Sequence, residues 1–373
     1  MIINKKVAIK DCCVFLKRSK IKAGEGVEQG IYPFYTSSSM LNKYLDYYEV
    51  EEESLVFGTG GNASVHHSYG KFSTSTDCFV LQNNRKHDIN LKYMYLFLKS
   101  NIHILENGFK GAGLKHISKK YIENIIIPLP PLQTQKKIVE VLDKAQELLD
   151  ARKEQIKLLD DLIQSVFYDM FGDPVTNSKG WEKIKLNDSC KVITGNTPSR
   201  KEIDNYGDFI EWIKSDNINT PYTYITSADE YLSQKGFEKA RVVEKGSILM
   251  TCIAGSLNCI GNIAITDRRV AFNQQINAII PQKYNLIFLY ATLKLSKKYI
   301  QNSSSKSMKG MISKGKLQEL KFVIPPIELQ NQFAETVQKI ESQKELIQQS
   351  LIELENNYNS LMQRAFKGEL FND

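Results

Sequence analysis

The sequence has no long apolar run, no leader-like segment and no cysteine pattern of an exported protein. No apolar stretch among the 373 residues approaches the roughly 20 that a membrane span needs. The segment MIINKKVAIKDCC has no apolar core, so we expect neither export nor a membrane anchor. The six cysteines form no C-x-x-C pair or disulfide framework, and the five histidines are scattered. We therefore expect buried thiols in a reducing cytoplasm and no zinc site.

Several enzyme motifs are also missing. An adenine methyltransferase should show N/D-P-P-Y/F beside a glycine motif for S-adenosylmethionine, and a translocase should show a Walker A segment; the sequence has neither. FGTGGN (57–62) fits no nucleotide-binding glycine pattern, which favours a turn at the rim of a sheet. We assign the adjacent His66 and His67 to a turn and not to a metal or catalytic site. We expect a chain without catalytic, cofactor-binding or metal-binding residues.

The positive charge that the sequence does contain lies in two blocks. The net charge of +7 comes from +5 in residues 1–133 (17 basic against 12 acidic) and +8 in residues 172–327 (22 against 14). The intervening residues 134–171, the later residues 328–367 and the last residues 368–373 each carry a net charge of −2. Two basic blocks favour a polyanion that is contacted at two places. Charge alone leaves open that these are two ordinary basic domains.

The chain is a tandem repeat with a period of 195 residues. PLPPLQTQ (128–135) returns as PPIELQ (325–330), and the segments before and after it also correspond. The matching pairs are Ile117 and Ile312, Ser118 and Ser313, Lys119 and Lys314, Pro130-Pro131 and Pro325-Pro326, Gln135 and Gln330, Lys144 and Lys339, Leu159 and Leu354, Ser165 and Ser360, and Phe171 and Phe366.

A long helix is predicted after each Pro-Pro pair, because proline forces an extended approach and apolar residues then recur at heptad spacing. Gly172 and Gly368 are the expected C-terminal caps. Each helix is about 55 Å long at 1.5 Å per residue. The predicted seam of the first helix comprises Ile138, Leu142, Ala145, Leu149, Arg152, Ile156, Leu159, Ile163, Val166 and Met170. The seam of the second helix comprises Phe333, Val337, Ile340, Lys344, Ile347, Leu351, Leu354, Tyr358, Leu361 and Ala365.

Two seams of equal length in one chain most simply pack on each other as an antiparallel coiled coil. Parallel packing would require each intervening block to span the whole coil, whereas antiparallel packing relates the copies by a pseudo-two-fold axis. Arg152 and Lys344 interrupt the apolar seams. They either fix the register of the helices or extend their charged ends to water.

The two basic blocks predict α/β domains of mainly short strands and turns, with short helices at 90–100 and 285–301. Their ground plan is shared and their loops differ, as in related recognition modules with different targets. Loop residues with amide, hydroxyl or basic side chains suit contacts to phosphates and base edges, although solvated turns remain an alternative. The DNA-binding candidates are Thr36, Ser37, Ser38, Asn62, Ser64, His66, Lys71, Lys110, Lys115, Thr197, Ser199, Arg200, Lys201, Lys214, Arg268, Arg269, Asn273, Gln274, Ser304, Lys306 and Lys309.

The repeated Pro-Pro-helix unit resembles the specificity (S) subunit of type I restriction-modification systems over essentially the whole chain. The resemblance rests on IIIPLPPLQTQKKIVEVLDKAQELLD (125–150), FVIPPIELQNQFAETVQKIESQKELI (322–347), SVFYDMFGDP (165–174), LMQRAFKGEL (361–370), FGTGGNASV, STDCFVLQ, GSILMT and NQQINAI. It implies two target recognition domains, each reading half of a bipartite double-stranded DNA sequence. It also implies a helical spacer that docks two modification (methyltransferase) subunits, with restriction (translocase/nuclease) subunits completing the complex.

The expected fold class is α+β, with two α/β target recognition domains separated by two long antiparallel coiled-coil helices in a pseudo-two-fold tandem repeat. We call the Pro-Pro segment before each long helix a proline gate. The expected segments are recognition domain 1 (1–127), the first proline gate with its helix (128–173), recognition domain 2 (174–324), and the second proline gate with its helix and a tail (325–373). S-adenosylmethionine is expected only in the partner subunits. The alternatives are a coiled-coil adaptor that does not bind DNA and a methyltransferase or nuclease with degenerate motifs.

Overall fold

The computed structural model describes residues 5–304 and 310–371. In the first repeat the elements are β1 Lys5–Ala8, α1 Ile9–Cys12, β2 Cys13–Phe15, β3 Tyr32–Tyr35, β4 Tyr44–Leu45, β5 Ser54–Gly58, β6 Val65–Ser68, β7 Ser73–Thr74, β8 Cys78–Asn83, α2 Leu91–Ser100, α3 Ile102–Glu106, β9 Phe109–Lys110, β10 His116–Ile117, α4 Lys119–Glu123, β11 Ile126–Leu129 and α5 Leu132–Phe171.

In the second repeat the elements are β12 Lys183–Lys185, α6 Leu186–Ser189, β13 Cys190–Thr194, β14 Tyr206–Gly207, β15 Ile210–Ile213, β16 Tyr231–Leu232, α7 Gln234–Lys239, β17 Val242–Val243, β18 Ile248–Thr251, β19 Ile253–Ala254, β20 Ile263–Ile265, β21 Val270–Phe272, β22 Ile276–Pro281, α8 Leu286–Leu295, α9 Lys297–Asn302, β23 Gly310–Met311, α10 Lys314–Glu319, β24 Lys321–Val323 and α11 Ile327–Lys367. Short 3₁₀ turns occupy Ala23–Glu25, Ile203–Asn205, Ser215–Asn217 and Leu257–Cys259.

The chain forms two compact units. The first comprises the chain up to Glu154 together with the residues from Gln348 onward, and the second is Gln155–Ile347. Each unit therefore contains one α/β domain and one half of each long helix. The four segments expected from the sequence each keep a long helix whole, whereas the compact units divide each long helix between them. The four segments concern recognition and spacing, and they stay a prediction.

Both units contain an antiparallel sheet with the same connectivity, in the order β2-β8-β5-β6 in the first and β13-β22-β18-β20 in the second. The central strands β5 and β18 are largely apolar and are buried on both faces. In β5, Leu55 and Phe57 face one core cluster and Val56 faces another. In β18, Ile248 likewise faces one core cluster and Leu249 faces another.

A second sheet in each unit contains one parallel strand pair. The orders are β4-β3-β7 and β14-β16-β15-β21-β17, and the parallel pairs are β3 with β7 and β15 with β21. The carboxyl ends of parallel strands lie at the same edge of a sheet. Loops after these strands are therefore brought together in both units.

The helix boundaries expected from Pro-Pro and glycine are confirmed. Helix α5 begins at Leu132, directly after Pro131, and α11 begins at Ile327, directly after Pro326. Gly172 and Gly368 follow the two helices with φ of +73° and +77°, a left-handed conformation that favours glycine. The strand before each helix is fixed by an antiparallel partner, β1 for β11 and β12 for β24.

The long helices run antiparallel where they pack within each unit. In the first unit, Ile138 and Leu142 near the start of α5 share a core cluster with Met362 and Ala365 near the end of α11. In the second unit, Phe333 near the start of α11 lies 5.5 Å from Phe167 near the end of α5, measured between ring centroids. All of the predicted seam positions are buried or half-buried.

These contacts also place the two basic interruptions of the seam. Lys344 forms an ion pair with Asp160 of the facing helix, and its side chain is 12% exposed. Arg152 is half-buried. With two α/β domains and two antiparallel long helices in a tandem repeat, the expected fold class is confirmed.

Two local expectations were wrong. His66 and His67 lie in strand β6 and not in a turn, because they pair with Val56 and Leu55 of β5. The helix expected over 285–301 is divided at Ser296 into α8 and α9. The six cysteines are free, and all except the half-buried Cys259 are buried. In residues 5–304 and 310–371 no helix is long and apolar enough to cross a membrane.

We predict that Gly172→Ala destabilises the second unit by about 2 kcal/mol, because its φ is positive and a Cβ would lie 2.3 Å from Ser178 Oγ. Gly180→Ala is the matched control: its φ is +72°, but a Cβ there meets no atom within 4 Å. The midpoint of urea unfolding should fall more for Gly172→Ala than for Gly180→Ala. Equal midpoints for the two variants would contradict this account.

Candidate nucleic-acid interface

The loops that follow the parallel strands form a polar surface in each domain. In the first unit, this surface, the first rim, comprises residues 36–38, 59–64, 75–77 and His116. In the second unit, the second rim comprises residues 196–201, 214–217 and 273–275. Both lie at the carboxyl ends of the parallel strands, where Tyr35 pairs with Thr74 and Ile213 with Phe272.

Ser37 connects the loops of the first rim. Its Oγ donates to the carbonyl of Asp77 (2.7 Å) and accepts from the backbone N–H groups of Thr59 (3.2 Å) and Gly60 (3.3 Å). Gly58 is required beside this serine, because a Cβ there would lie 2.9 Å from Ser37 Cα and 2.3 Å from Ser64 Oγ. Thr36, Ser37, Ser38 and the glycine-rich turn are thus held in one place.

Two histidines complete the first rim. The ring of His66 lies 5.1 Å from that of Tyr35, and its Nε2 donates to the carbonyl of Ser38 (2.8 Å). Burial lowers the pKa of His66, which favours a neutral ring at neutral pH. The exposed His116 contacts the carbonyl of Thr59 through Nδ1 (3.1 Å). The candidates Lys110 and Lys115 lie in and beside the hairpin that carries His116.

The second rim has different chemistry. The guanidinium of Arg200 lies 4.6 Å from the ring centroid of Tyr206 and 5.2 Å from that of Trp212, while Lys214 Nζ lies 5.3 Å from Trp212. Glu230 accepts hydrogen bonds from both cations. The hydrogen bond from Arg200 holds the pKa of Glu230 below its usual value. The second rim is therefore a cationic surface that lies over the buried Trp212 and the half-buried Tyr206, and its charge is partly neutralised.

Further hydrogen bonds join the loops of the second rim. The hydroxyl of Thr197 donates to the side chain of Gln274. Ser215 Oγ donates to Gln275 Oε1 (3.2 Å), at the position after β15 that Ser37 has after β3. Ser199 and Lys201 lie exposed in the same loop as Arg200. Ser304 lies beyond α9, and its Oγ donates to the carbonyl of Gln301 (2.6 Å).

Three candidate cations lie away from the rims, just before the parallel strands begin. Lys71 precedes β7 and lies 3.7 Å from Glu51; Arg269 precedes β21 and lies 3.0 Å from Glu244. Arg268 donates through Nη2 to Glu211 Oε1 (2.8 Å) and the carbonyl of Thr226 (3.1 Å). Because they lie at the opposite ends of the parallel strands from the rims, the geometry favours structural roles for them.

Two candidates are buried inside their domains. Ser64 is 4% exposed and Asn273 is 6% exposed. Asn273 Oδ1 accepts from the backbone N–H of Gln275 (3.0 Å), so this amide supports a rim loop from within. Asn62 and Gln274 are exposed beside them and keep their place in the candidate surface. Lys306 and Lys309 lie outside the described residues.

Sequence reasoning missed Tyr206, Trp212, Glu230 and His116. Trp212 and Glu230 stand in the short stretches IEWIK and ADEY, which contain no loop signal. Only the pairing of strands brings them beside Arg200. His116 directly follows the candidate Lys115 in the sequence, and this adjacency could have indicated that His116 lies in the same surface.

Comparisons with known proteins agree with this architecture. A family model described as type I restriction modification DNA specificity domain matches residues 3–158 and 178–356. The MjaVIII type I restriction enzyme specificity subunit of Methanocaldococcus jannaschii is 24% identical, over 98% of this chain and 92% of that protein. The Escherichia coli EcoBI specificity subunit is also 24% identical, over 87% of this chain and 75% of its own length.

The fold is shared with solved structures. The crystal structure of the type I restriction-modification system S subunit from M. genitalium matches with a TM-score of 0.61 and 16% identity, over 97% of this chain and 96% of that one. The two matches of the family model cover most of the sequence. The chain therefore belongs to the type I restriction-modification DNA specificity family, and as such it is a non-catalytic specificity subunit.

We predict that Glu230→Gln strengthens DNA binding two- to fivefold, because an ion pair of this kind contributes up to about 1 kcal/mol and Arg200 and Lys214 are released for phosphates. The measurement is fluorescence anisotropy with the full chain and a duplex of random sequence at low salt. Glu319→Gln changes the net charge equally but releases Lys185, which lies outside both rims. Equal gains in the two variants would show that only net charge matters.

Proposed function

We propose that this chain reads a bipartite double-stranded DNA sequence, one half-site with each recognition domain, for a type I restriction-modification complex. The observation that carries the proposal is the duplication itself. Two domains that share the strand order of a four-stranded sheet and one parallel strand pair present rims at the same place but with different side chains, hydroxyl and imidazole groups in one and cationic groups over aromatic rings in the other. A common scaffold with two different polar surfaces fits one reader of two different half-sites.

The proposed DNA-contacting set comprises the exposed or half-exposed candidates at the rims, together with Lys110, Lys115 and Ser304. Hydroxyl and amide groups suit base edges, and the cations suit phosphates or guanine. In the first domain (1–127) the set is Thr36, Ser37, Ser38, Asn62, His66, Lys110 and Lys115. In the second domain (174–324) it is Thr197, Ser199, Arg200, Lys201, Lys214, Gln274 and Ser304.

The two long helices are the proposed spacer and the proposed docking site for two modification subunits. Apolar side chains outside the seam support this: Leu148, Leu158, Leu346 and Ile352 are 57%, 56%, 66% and 60% exposed. The partner subunits would bring S-adenosylmethionine and, with restriction subunits, DNA translocation and cleavage. Free, mostly buried cysteines fit work in the reducing cytoplasm.

We expect methylation of a bipartite motif only when the chain is assembled with its modification subunits. The measurement is methylation of genomic DNA with S-adenosylmethionine, followed by sequencing of the modified bases. The chain alone should give none, since it lacks a methyltransferase motif. Methylation by the chain alone would favour the degenerate-enzyme alternative, and an assembled complex with no sequence preference would favour the adaptor.

Lengthening both helices should widen the gap between half-sites. One heptad inserted after Glu154 and another after Ile347 keeps the seam in register and adds about 10 Å to each helix at 1.5 Å per residue. We expect a gap about three base pairs longer, at roughly 3.4 Å per base pair, with both half-sites unchanged. Mapping of the methylated motif measures it, and an unchanged gap would contradict the spacer role.

A further inference from the structure

A fully buried glutamine joins each recognition domain to its long helix. Gln135, in the first turn of α5, is 0% exposed. Its Nε2 donates to the carbonyls of Pro130 (2.8 Å) and Asp88 (3.0 Å), and its Oε1 accepts from the backbone N–H of Asn90 (2.8 Å). One side chain therefore links the proline gate, the long helix and the residue that begins α2.

The second copy repeats this arrangement. Gln330, in the first turn of α11, is 1% exposed. Its Nε2 donates to the carbonyl of Pro325 (2.8 Å), and its Oε1 accepts from the backbone N–H of Asn285 (2.9 Å). Asn90 and Asn285 in turn cap α2 and α8 through their side-chain oxygens. Two of the three hydrogen bonds of Gln135, those to the gate proline and to the capping asparagine, are thus repeated in a copy whose rim differs.

These bonds do not cap the long helix. A capping side chain would accept from N–H groups of its own helix, whereas both glutamines bond to groups of the gate and the recognition domain. The surrounding contacts are largely apolar: Tyr93 shares a cluster with Ile138 and Leu142, and Phe288 packs near Phe333. Apolar packing is non-directional, so the buried hydrogen bonds supply the angular specificity of the joint.

We propose that Gln135 and Gln330 are positioning residues that fix the angle of each recognition domain on its helix, and thereby the single gap length accepted between half-sites. This inference rests on the proposed function. Loss of the amide leaves buried groups such as the Asn90 N–H without a partner, while the apolar contacts still hold the domain. The domain then samples several angles, and its half-site is read at several distances.

The test uses the assembled complex with Gln135→Met, Gln330→Met and both together. Methionine retains the length of the side chain and removes the hydrogen bonds. We measure methylation of synthetic duplexes whose gap is native, one base pair shorter or one base pair longer. Wild type should discriminate against the altered gaps. In the variants, the ratio of the methylation rate at the native gap to the rate at an altered gap should fall about tenfold, which corresponds to the free energy of about one buried hydrogen bond. Both half-site sequences should stay the same.

Leu105→Ala is the matched control, because Leu105 is buried in the core of the first domain and takes part in none of the hydrogen bonds of Gln135. It should lower stability and methylation rate at every gap without changing the preference among gaps. Should a methionine variant fail to assemble, Gln135→Glu retains an acceptor for the N–H of Asn90 and loses at least one of the two N–H donors, and its gap preference decides. Unchanged gap preference in the assembled variants overturns the inference. A wild-type complex without a bipartite motif overturns the proposed function instead.

Discussion

In each recognition domain one buried amide side chain, alongside apolar contacts, links the proline gate and the start of a short helix to the long helix. The amide must be satisfied, because an unpaired buried polar group is costly. Gln135 can meet its partners only if Pro130 holds the chain extended and Asn90 starts α2 at the right place. The Pro-Pro gate, the helix cap and the long helix are therefore one cooperative joint, which explains why they recur together at a spacing of 195 residues.

The two copies share the central sheet and the helix caps, and they differ in the side chains of the rims. Ser118 and Ser313 cap α4 and α10 alike, and the central sheets have the same strand order. At the ends of the parallel strands the side chains diverge, from Ser37 in one rim to Arg200 and Trp212 in the other. Exposed rim side chains such as Arg200 carry little of the core packing, so they can change while the fold is maintained. Such a division suits a protein whose targets must vary.

Local patterns predicted the helices and the repeat, because proline, glycine caps and heptad spacing act within a few residues. They could not predict which loop residues meet. Lys71 and Arg268 carry the same charge as Lys214, yet they lie at the opposite ends of the parallel strands, and only strand pairing decides this. Ser64 and Asn273 stand in polar stretches but are buried, since tertiary packing turns them inward.

Net charge is a poor guide to the second rim. The excess of +8 in residues 172–327 suggests a strongly cationic surface, but Glu230 and Glu211 hold Arg200, Lys214 and Arg268. Under the proposed function, DNA phosphates compete with these carboxylates, which weakens non-specific, salt-dependent attraction. Discrimination then depends more on hydrogen bonds to base edges, which form only at the correct site. Partial neutralisation of the cations therefore favours sequence specificity over affinity. A domain that recognises one half-site needs this balance because most of the DNA it meets does not contain that half-site.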